Sequence, residues 1–103
     1  MIFRRRFADI IGRQLDLFEE DYAELLAECE EAEDEYDNAP REEAEERFGD
    51  YMDLVESGTE ALASLRDNYA STLEGDVAEE YRDEYNRAVL KRFPRFGLEI
   101  EDL

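Results

Sequence analysis

Two long runs of apolar residues, spaced alternately by four and three, constrain the fold of this chain more than any other feature. The first run is Ile11, Leu15, Phe18, Tyr22, Leu25, Cys29, Ala32 and Tyr36. The second run is Ala44, Phe48, Tyr51, Val55, Gly58, Leu62, Leu65, Tyr69 and Thr72. This is the heptad spacing of helices that keep a narrow apolar stripe against a partner. The sequence therefore predicts long helices over about 3–36 and 40–74.

The segment between these helices is short and ends in Pro40, which is tolerated in the first turn of a helix. Two matched stripes joined by a short turn predict a long antiparallel helical hairpin, similar to a coiled coil. A third, shorter helix is expected over about 76–93 and is stopped by Pro94. The tail over 94–103 is expected to form a short strand, to dock as a peptide or to fray. The chain is thus predicted to be a single all-α domain over 1–103.

Two glycines bear on where the helices end. Ser57, Gly58 and Glu60 belong to a capping-box pattern, so the second helix could break there. We expect it to continue, because the stripe keeps its phase through Gly58. The missing side chain could make room for a ring of Phe18 or Tyr22, or Gly58 could simply be a tolerated surface residue. Gly75 is expected to end the second helix in a left-handed cap.

Large apolar residues gather at the end of the hairpin far from the turn, where two helices alone cannot cover them. A third helix covers only part of this surface, so we expect a homodimer that completes a helical bundle. The alternative is a monomeric three-helix bundle with a projecting arm. The candidate interface residues are Phe3, Phe7, Ile10, Phe18, Leu62, Leu65, Phe96, Leu98 and Ile100.

The charge of the chain is strongly negative and unevenly distributed. The sequence has 31 acidic and 12 basic residues, for a net charge of −19. Residues 19–46 hold fifteen acids and one arginine. This segment could attract a cationic protein, or act as a decoy that mimics nucleic acid, or simply be a solvated surface. A salt-adapted or GC-rich source would also account for the acidity. Direct binding to nucleic acid is disfavoured, since phosphate would be repelled.

The run Arg4-Arg5-Arg6 is unusual, because positive charge opposes the dipole at the start of a helix. Contact with an anionic membrane surface or an acidic partner is one explanation. We favour compensation by acids near the third helix. These acids are Glu74, Asp76, Glu79 and Glu80.

The sequence favours no catalytic chemistry. It contains no histidine, no defensible buried pair of carboxylates and no phosphate-binding loop, so no enzyme activity, metal or cofactor is expected. Cys29 lies on the first apolar stripe and is expected to be a buried, unreactive thiol. No apolar run is long enough to span a membrane, and a single cysteine favours the cytoplasm. The function expected is therefore a structural or interaction module that dimerises and presents an acidic arm to another protein.

Overall fold

The computed structural model describes residues 6–103, and every regular element in that part of the chain is helical. The all-α fold is therefore confirmed. The α-helices are α1 (Ala8–Asp21), α2 (Ala23–Asp37), α3 (Ala44–Ala70), α4 (Gly75–Arg92) and α5 (Pro94–Gly97). Short 3-10 turns cover Arg41–Glu43 and Ile100–Asp102.

The first predicted helix is divided at Tyr22, so the expectation of one continuous helix over 3–36 is wrong. Hydrogen bonds from Tyr22 N–H to Phe18 O (2.8 Å) and from Leu26 N–H to Tyr22 O (3.0 Å) hold the two parts together across the bend. The parts pack on different partners, because α1 contacts α4 whereas α2 packs most extensively on α3. The bend lets each part follow its own partner, which a single heptad stripe does not indicate.

The connection between α2 and α3 lies where the sequence places it. Asn38 donates from Nδ2 to the carbonyl oxygen of Asp34 at 2.9 Å, which satisfies one acceptor at the end of α2. Pro40 has extended backbone and precedes the 3-10 turn that leads into α3. The α3 helix then runs without a break through Gly58 to Ala70, as expected for a continuous second helix.

Gly75 does not act as the predicted left-handed cap. It is the first residue of α4, and none of the glycines within residues 6–103 has a positive φ. The α3 helix ends four residues earlier than expected, with Ser71 N–H bonded to Asp67 O at 2.9 Å. Glu74 is extended and precedes α4, so the third predicted helix begins one residue earlier than expected and ends at Arg92.

The tail forms neither a strand nor a frayed end. Its helix α5 and the following 3-10 turn fold back along α3, and Phe96 and Ile100 are buried. Gly58 receives the ring of Phe96, since a Cβ on residue 58 would lie 2.4 Å from Phe96 Cε1. The expectation that Gly58 makes room for a ring is thus correct, but the ring comes from the tail rather than from Phe18 or Tyr22.

The core lies where α1, α3, α4 and the tail meet, and it contains two fully buried tyrosines. Tyr81 donates its hydroxyl to Gln14 Oε1 at 2.6 Å, and Tyr85 donates to the carbonyl oxygen of Leu62 at 2.8 Å. Burial raises the pKa of Tyr81 to about 12 and raises the pKa of Tyr85 as well. Away from this core, α2 and the first part of α3 extend along a molecule that measures 51 × 26 × 24 Å.

Candidate interaction surface

The strongest candidate surface is the segment of residues 19–46, which we call the acidic arm. All of its fifteen acids are exposed except Glu33, which is half-buried. Within residues 6–103, cationic side chains come within 4.0 Å of a minority of them. These are Glu19, Glu33, Glu35 and Glu43. The remaining carboxylates therefore face solvent without a positive neighbour in the part of the chain that the structure describes.

The arm is held together by a narrow apolar contact between α2 and α3. Cys29 and Ala32 of α2 and Val55 of α3 are buried there, and Tyr51 packs beside them. Small side chains allow the two helices to approach closely. Burial raises the pKa of the Cys29 thiol, which favours the protonated and less nucleophilic form.

An arginine from the tail ties the arm to the rest of the molecule. Arg95 donates from Nη2 to Glu33 at 2.9 Å and from Nε to the Tyr51 hydroxyl at 3.2 Å. The guanidinium carbon also lies 5.7 Å from the centre of the Tyr51 ring. These contacts fix the direction of the arm relative to the core.

Two exposed aromatic rings lie together at the tip of the arm, one from within residues 19–46 and one from just after them. Tyr36 of α2 and Phe48 of α3 lie 5.3 Å apart between ring centroids and remain 36% and 45% exposed. Arg47 lies next to them and pairs with Glu35 at 3.7 Å and Glu43 at 3.6 Å. The tip is therefore an aromatic pair within a strongly acidic surface, a combination suited to contact with another protein.

Most of the interface residues predicted from the sequence lie inside the chain instead of on an exposed face. The α4 helix, which corresponds to the predicted third helix, covers them together with the returning tail. The buried members are Phe7, Phe18, Leu62, Phe96 and Ile100. A role for these five in an interface with another molecule would require this core to open.

The other predicted interface residues have different surroundings. Ile10 and Leu65 are partly buried against the core. Leu98 is 80% exposed, so it is available for an external contact. Phe3 lies outside the described residues, as do Arg4 and Arg5. Arg6 pairs with Glu80 at 3.3 Å, which is one of the compensating contacts expected for the arginine run.

Sequence reasoning missed Arg66, a nearly fully buried cation that joins α3 to the tail. Its guanidinium donates to the backbone oxygens of Ile100 at 3.0 Å and Leu103 at 2.7 Å, and to Asn86 Oδ1 at 3.0 Å. Hydrogen bonds from Arg66, reinforced by Arg82, hold the pKa of Asp67 below its usual value. Its burial could have been predicted from its position, because Arg66 follows Leu62 by four residues and so lies on the same face of the helix.

Sequence reasoning also missed Glu84, which is 9% exposed and accepts a hydrogen bond from Phe7 N–H at 3.3 Å. It follows Tyr81 by three residues, a spacing that places it on the buried face of α4. This contact satisfies a backbone donor at the start of α1. It also places a carboxylate near the N-terminal end of that helix, where negative charge interacts favourably with the helix dipole.

No group of three or more cysteine, aspartate or glutamate side chains is arranged to hold a metal ion within residues 6–103. None of the helices described here combines the length and the apolar character needed to cross a bilayer. Comparison with protein families, curated proteins and solved structures finds no match to this chain.

Proposed function

We propose that the protein is a non-enzymatic interaction module whose acidic arm, acting as an antiparallel helical hairpin, binds a cationic face of another protein. The observation that carries this proposal is the aromatic pair of Tyr36 and Phe48, which is exposed at the tip of a strongly acidic surface. A purely solvated charged surface has no need of exposed rings, whereas aromatic residues are enriched at protein interfaces.

The carboxylates of the arm and the aromatic pair at its tip would contribute to binding in different ways. The carboxylates would attract a cationic partner over several ångströms and raise the rate of encounter, an effect that salt weakens. The rings of Tyr36 and Phe48 would then bury apolar area at short range and slow dissociation. A cytoplasmic location fits a chain with a single cysteine, and we retain it as part of the proposal.

The experiment measures binding of a fluorescent, lysine-rich amphipathic peptide to the intact protein by anisotropy. We expect salt-dependent binding that weakens about tenfold in Phe48→Ala, the loss typical of an aromatic anchor. The matched control is Leu17→Ala, because Leu17 is also an exposed apolar residue but lies on α1 outside the arm. Equal binding by the two variants would show that the arm attracts charge without specific recognition, and would overturn the proposal.

The decoy hypothesis is tested with the same protein. An acidic mimic of nucleic acid should displace duplex DNA from a basic DNA-binding protein, and should do so with or without the Phe48 ring. Displacement by both the parent and Phe48→Ala would favour the decoy over the aromatic-tip proposal.

Homodimerisation is a second part of the proposal, and Leu98 supports it. This side chain is 80% exposed, and the neighbouring Leu90 is 45% exposed. The backbone of Gly97 lies against Leu90, since a Cβ on Gly97 would be 2.5 Å from Leu90 Cα. A two-fold contact between such patches would bury both leucines and complete a larger helical bundle.

Sedimentation equilibrium at low and high salt tests the dimer. We expect Leu98→Glu to weaken self-association, while Leu17→Glu, which adds the same charge at another exposed leucine, leaves it unchanged. A parent protein that stays monomeric at every concentration and salt level would exclude the dimer.

A further inference from the structure

A groove lies between α1 and α4, and none of its lining residues belongs to the acidic arm. It encloses about 540 Å3, within the range of roughly 300–1,000 Å3 that is usual for small-molecule sites. The α1 side is formed by Ile11, Gly12 and Leu15. Since the lining of α1 runs from Ala8 to Leu15, at 1.5 Å per residue the groove is about 10 Å long.

The floor of this groove is apolar, and Gly12 lines the groove beside that floor. Ile11 and Leu15 belong to the core and are each 2% exposed. A Cβ added to Gly12 would meet no atom within 4 Å, so space remains above the floor at this position. Ala88 on the opposite helix is also small. A ligand with a compact apolar body would fit over these residues.

The rim of the groove is basic, although the protein as a whole is strongly acidic. Arg87, Lys91 and Arg92 of α4 all line it, out of 12 basic residues in the whole chain. Asp16 and Glu19 hold Arg92 in place, at 2.7 and 3.0 Å. The preference of cations for the end of a helix accounts for Lys91 and Arg92 but not for Arg87, which lies more than a turn earlier.

The positive charge of Arg87 and Lys91 is not neutralised within residues 6–103, where neither makes an ion pair of 4.0 Å or less. They are four residues apart on one face, a like-charge arrangement that costs a few tenths of a kcal/mol. The acid that lines the groove in this part of the chain is Glu84, which is nearly buried and accepts the Phe7 N–H. In the described part of the chain, the groove therefore presents a cationic edge at Arg87 and Lys91 that no ion pair compensates.

We propose that this groove binds a small organic anion with an apolar body, of the class of medium-chain carboxylates. The carboxylate would pair with Arg87 and Lys91, and the hydrocarbon would lie against the accessible surface of Ala8, Gly12 and Ala88. Charges of the arm beyond about 8 Å are screened at physiological salt, so the local cations determine the sign of the ligand. This site goes beyond the interaction module proposed above and uses none of the residues at the tip of the arm.

The first experiment titrates the full chain with octanoate while following backbone amide shifts by NMR. We expect saturable shifts confined to α1 and α4, with 1-octanol and butanoate each at least about tenfold weaker, because one lacks the charge and the other the apolar length. Octanol binding as tightly as octanoate, shifts that centre on the acidic arm, or no saturation by about 10 mM octanoate would overturn the proposal.

The second experiment fills the groove. Gly12→Leu places a side chain in the open space, and we expect it to abolish octanoate binding while the helical circular dichroism is retained. Gly49→Leu is the matched control, because Gly49 is also a helical glycine with open space at its Cβ and lies in α3 away from the groove. Binding that survives Gly12→Leu in a folded protein would contradict the assignment.

The third experiment removes the cationic edge. The double variant Arg87→Gln, Lys91→Gln should bind octanoate about fivefold more weakly or worse, the loss expected for partly exposed ion pairs. Arg41→Gln, which removes a cation outside the groove, should leave the affinity unchanged. Equal effects of the charge change at both places would mean that only the net charge of the protein matters, and would reject the site.

Discussion

Gly58 of α3 lies directly against the ring of Phe96 from α5, so closely that a Cβ on residue 58 would be 2.4 Å from Cε1 of the ring. The ring is 1% exposed and packs edge-on to Phe18, with 6.0 Å between ring centroids. It therefore cannot move aside without disturbing the core. This close approach is one of the contacts that join the longest helix to the tail.

We expect Gly58→Ala to lower the free energy of unfolding by about 1–3 kcal/mol, because the added methyl group overpacks the core. The measurement is urea denaturation followed by circular dichroism. Gly49→Ala is the control on the same helix, since its Cβ would meet no atom within 4 Å. That change should be neutral or stabilise by up to about 1 kcal/mol. Similar stabilities for the two variants would show that the Phe96 contact is not tight.

Arg66 should be the cation on which the tail most depends. Arg66→Met keeps the length of the side chain but removes the donors to the backbone oxygens of Ile100 and Leu103. We expect a loss of about 2–3 kcal/mol in unfolding free energy and faster amide hydrogen exchange in residues 96–103. Arg47→Met, at a half-buried arginine with longer ion pairs of 3.6 and 3.7 Å, should cost less than about 1 kcal/mol. Unchanged exchange in the tail of Arg66→Met would contradict this role.

The buried tyrosines should make the protein unfold in alkali. The pKa of Tyr81 is raised from 10.0 to about 12, and that of Tyr85 is also raised, because burial disfavours the phenolate. The unfolded chain then releases these protons at a lower pH than the folded chain does. The contribution of the two neutral phenols to the free energy of unfolding is fully present below about pH 10. It is lost progressively between about pH 10 and pH 12.

A pH titration by circular dichroism, with tyrosinate absorbance recorded in parallel, checks this expectation. The double variant Tyr81→Phe, Tyr85→Phe should lose less stability across this pH range than the parent does. Tyr22→Phe, at a tyrosine that is 38% exposed, is the control and should follow the parent. Alkaline loss of structure that is the same in all three proteins would point to another titrating group.

Salt should stabilise the protein through the acidic arm. Repulsion among exposed carboxylates is screened as the Debye length falls from about 30 Å at 0.01 M salt to about 8 Å at 0.15 M. We therefore expect the melting temperature to rise over this range. The variant with Glu24, Glu28 and Glu31 changed to glutamine should show a smaller rise, because these acids lie in the arm at helical spacings of four and three.

A matched triple variant tests whether the arm itself is responsible. Changing Glu79, Glu99 and Glu101 to glutamine removes the same number of exposed acids outside the arm. This variant should keep more of the salt dependence than the arm variant does. Equal slopes would assign the effect to the total charge of −19 and not to its concentration in the arm.

The helical segments were predictable because heptad spacing reports directly on which residues share a face. The turn near Asn38 and the end of the third helix before Pro94 follow from local chemistry, and the structure places them close to the predicted positions. The bend at Tyr22 was not predictable in this way. It depends on α1 and α2 having different partners, and a periodic pattern carries no information about partners.

The position of the tail was also not predictable from the sequence, because the pattern does not identify the surface on which an apolar residue packs. Phe96 and Ile100 were recognised as apolar residues that needed a contact, but the contact proved to be the chain's own core. Arg66 stood among apolar positions on α3, yet two of its acceptors are backbone oxygens more than thirty residues away. The groove between α1 and α4 could not be predicted from the sequence either. Gly12 and Lys91 are far apart in the sequence, and only the packing of α1 and α4 brings them to the same groove.

The return of the tail along α3 also bears on how the protein is made. Ile100 reaches its hydrogen-bond partner 34 residues upstream, so the core cannot close on the ribosome until that part of the chain has emerged. Before then, the nascent chain exposes the surface of α3 that receives Phe96, an apolar site open to other molecules. The core around Phe96 and Ile100 can therefore be completed only after residue 100 has been synthesised.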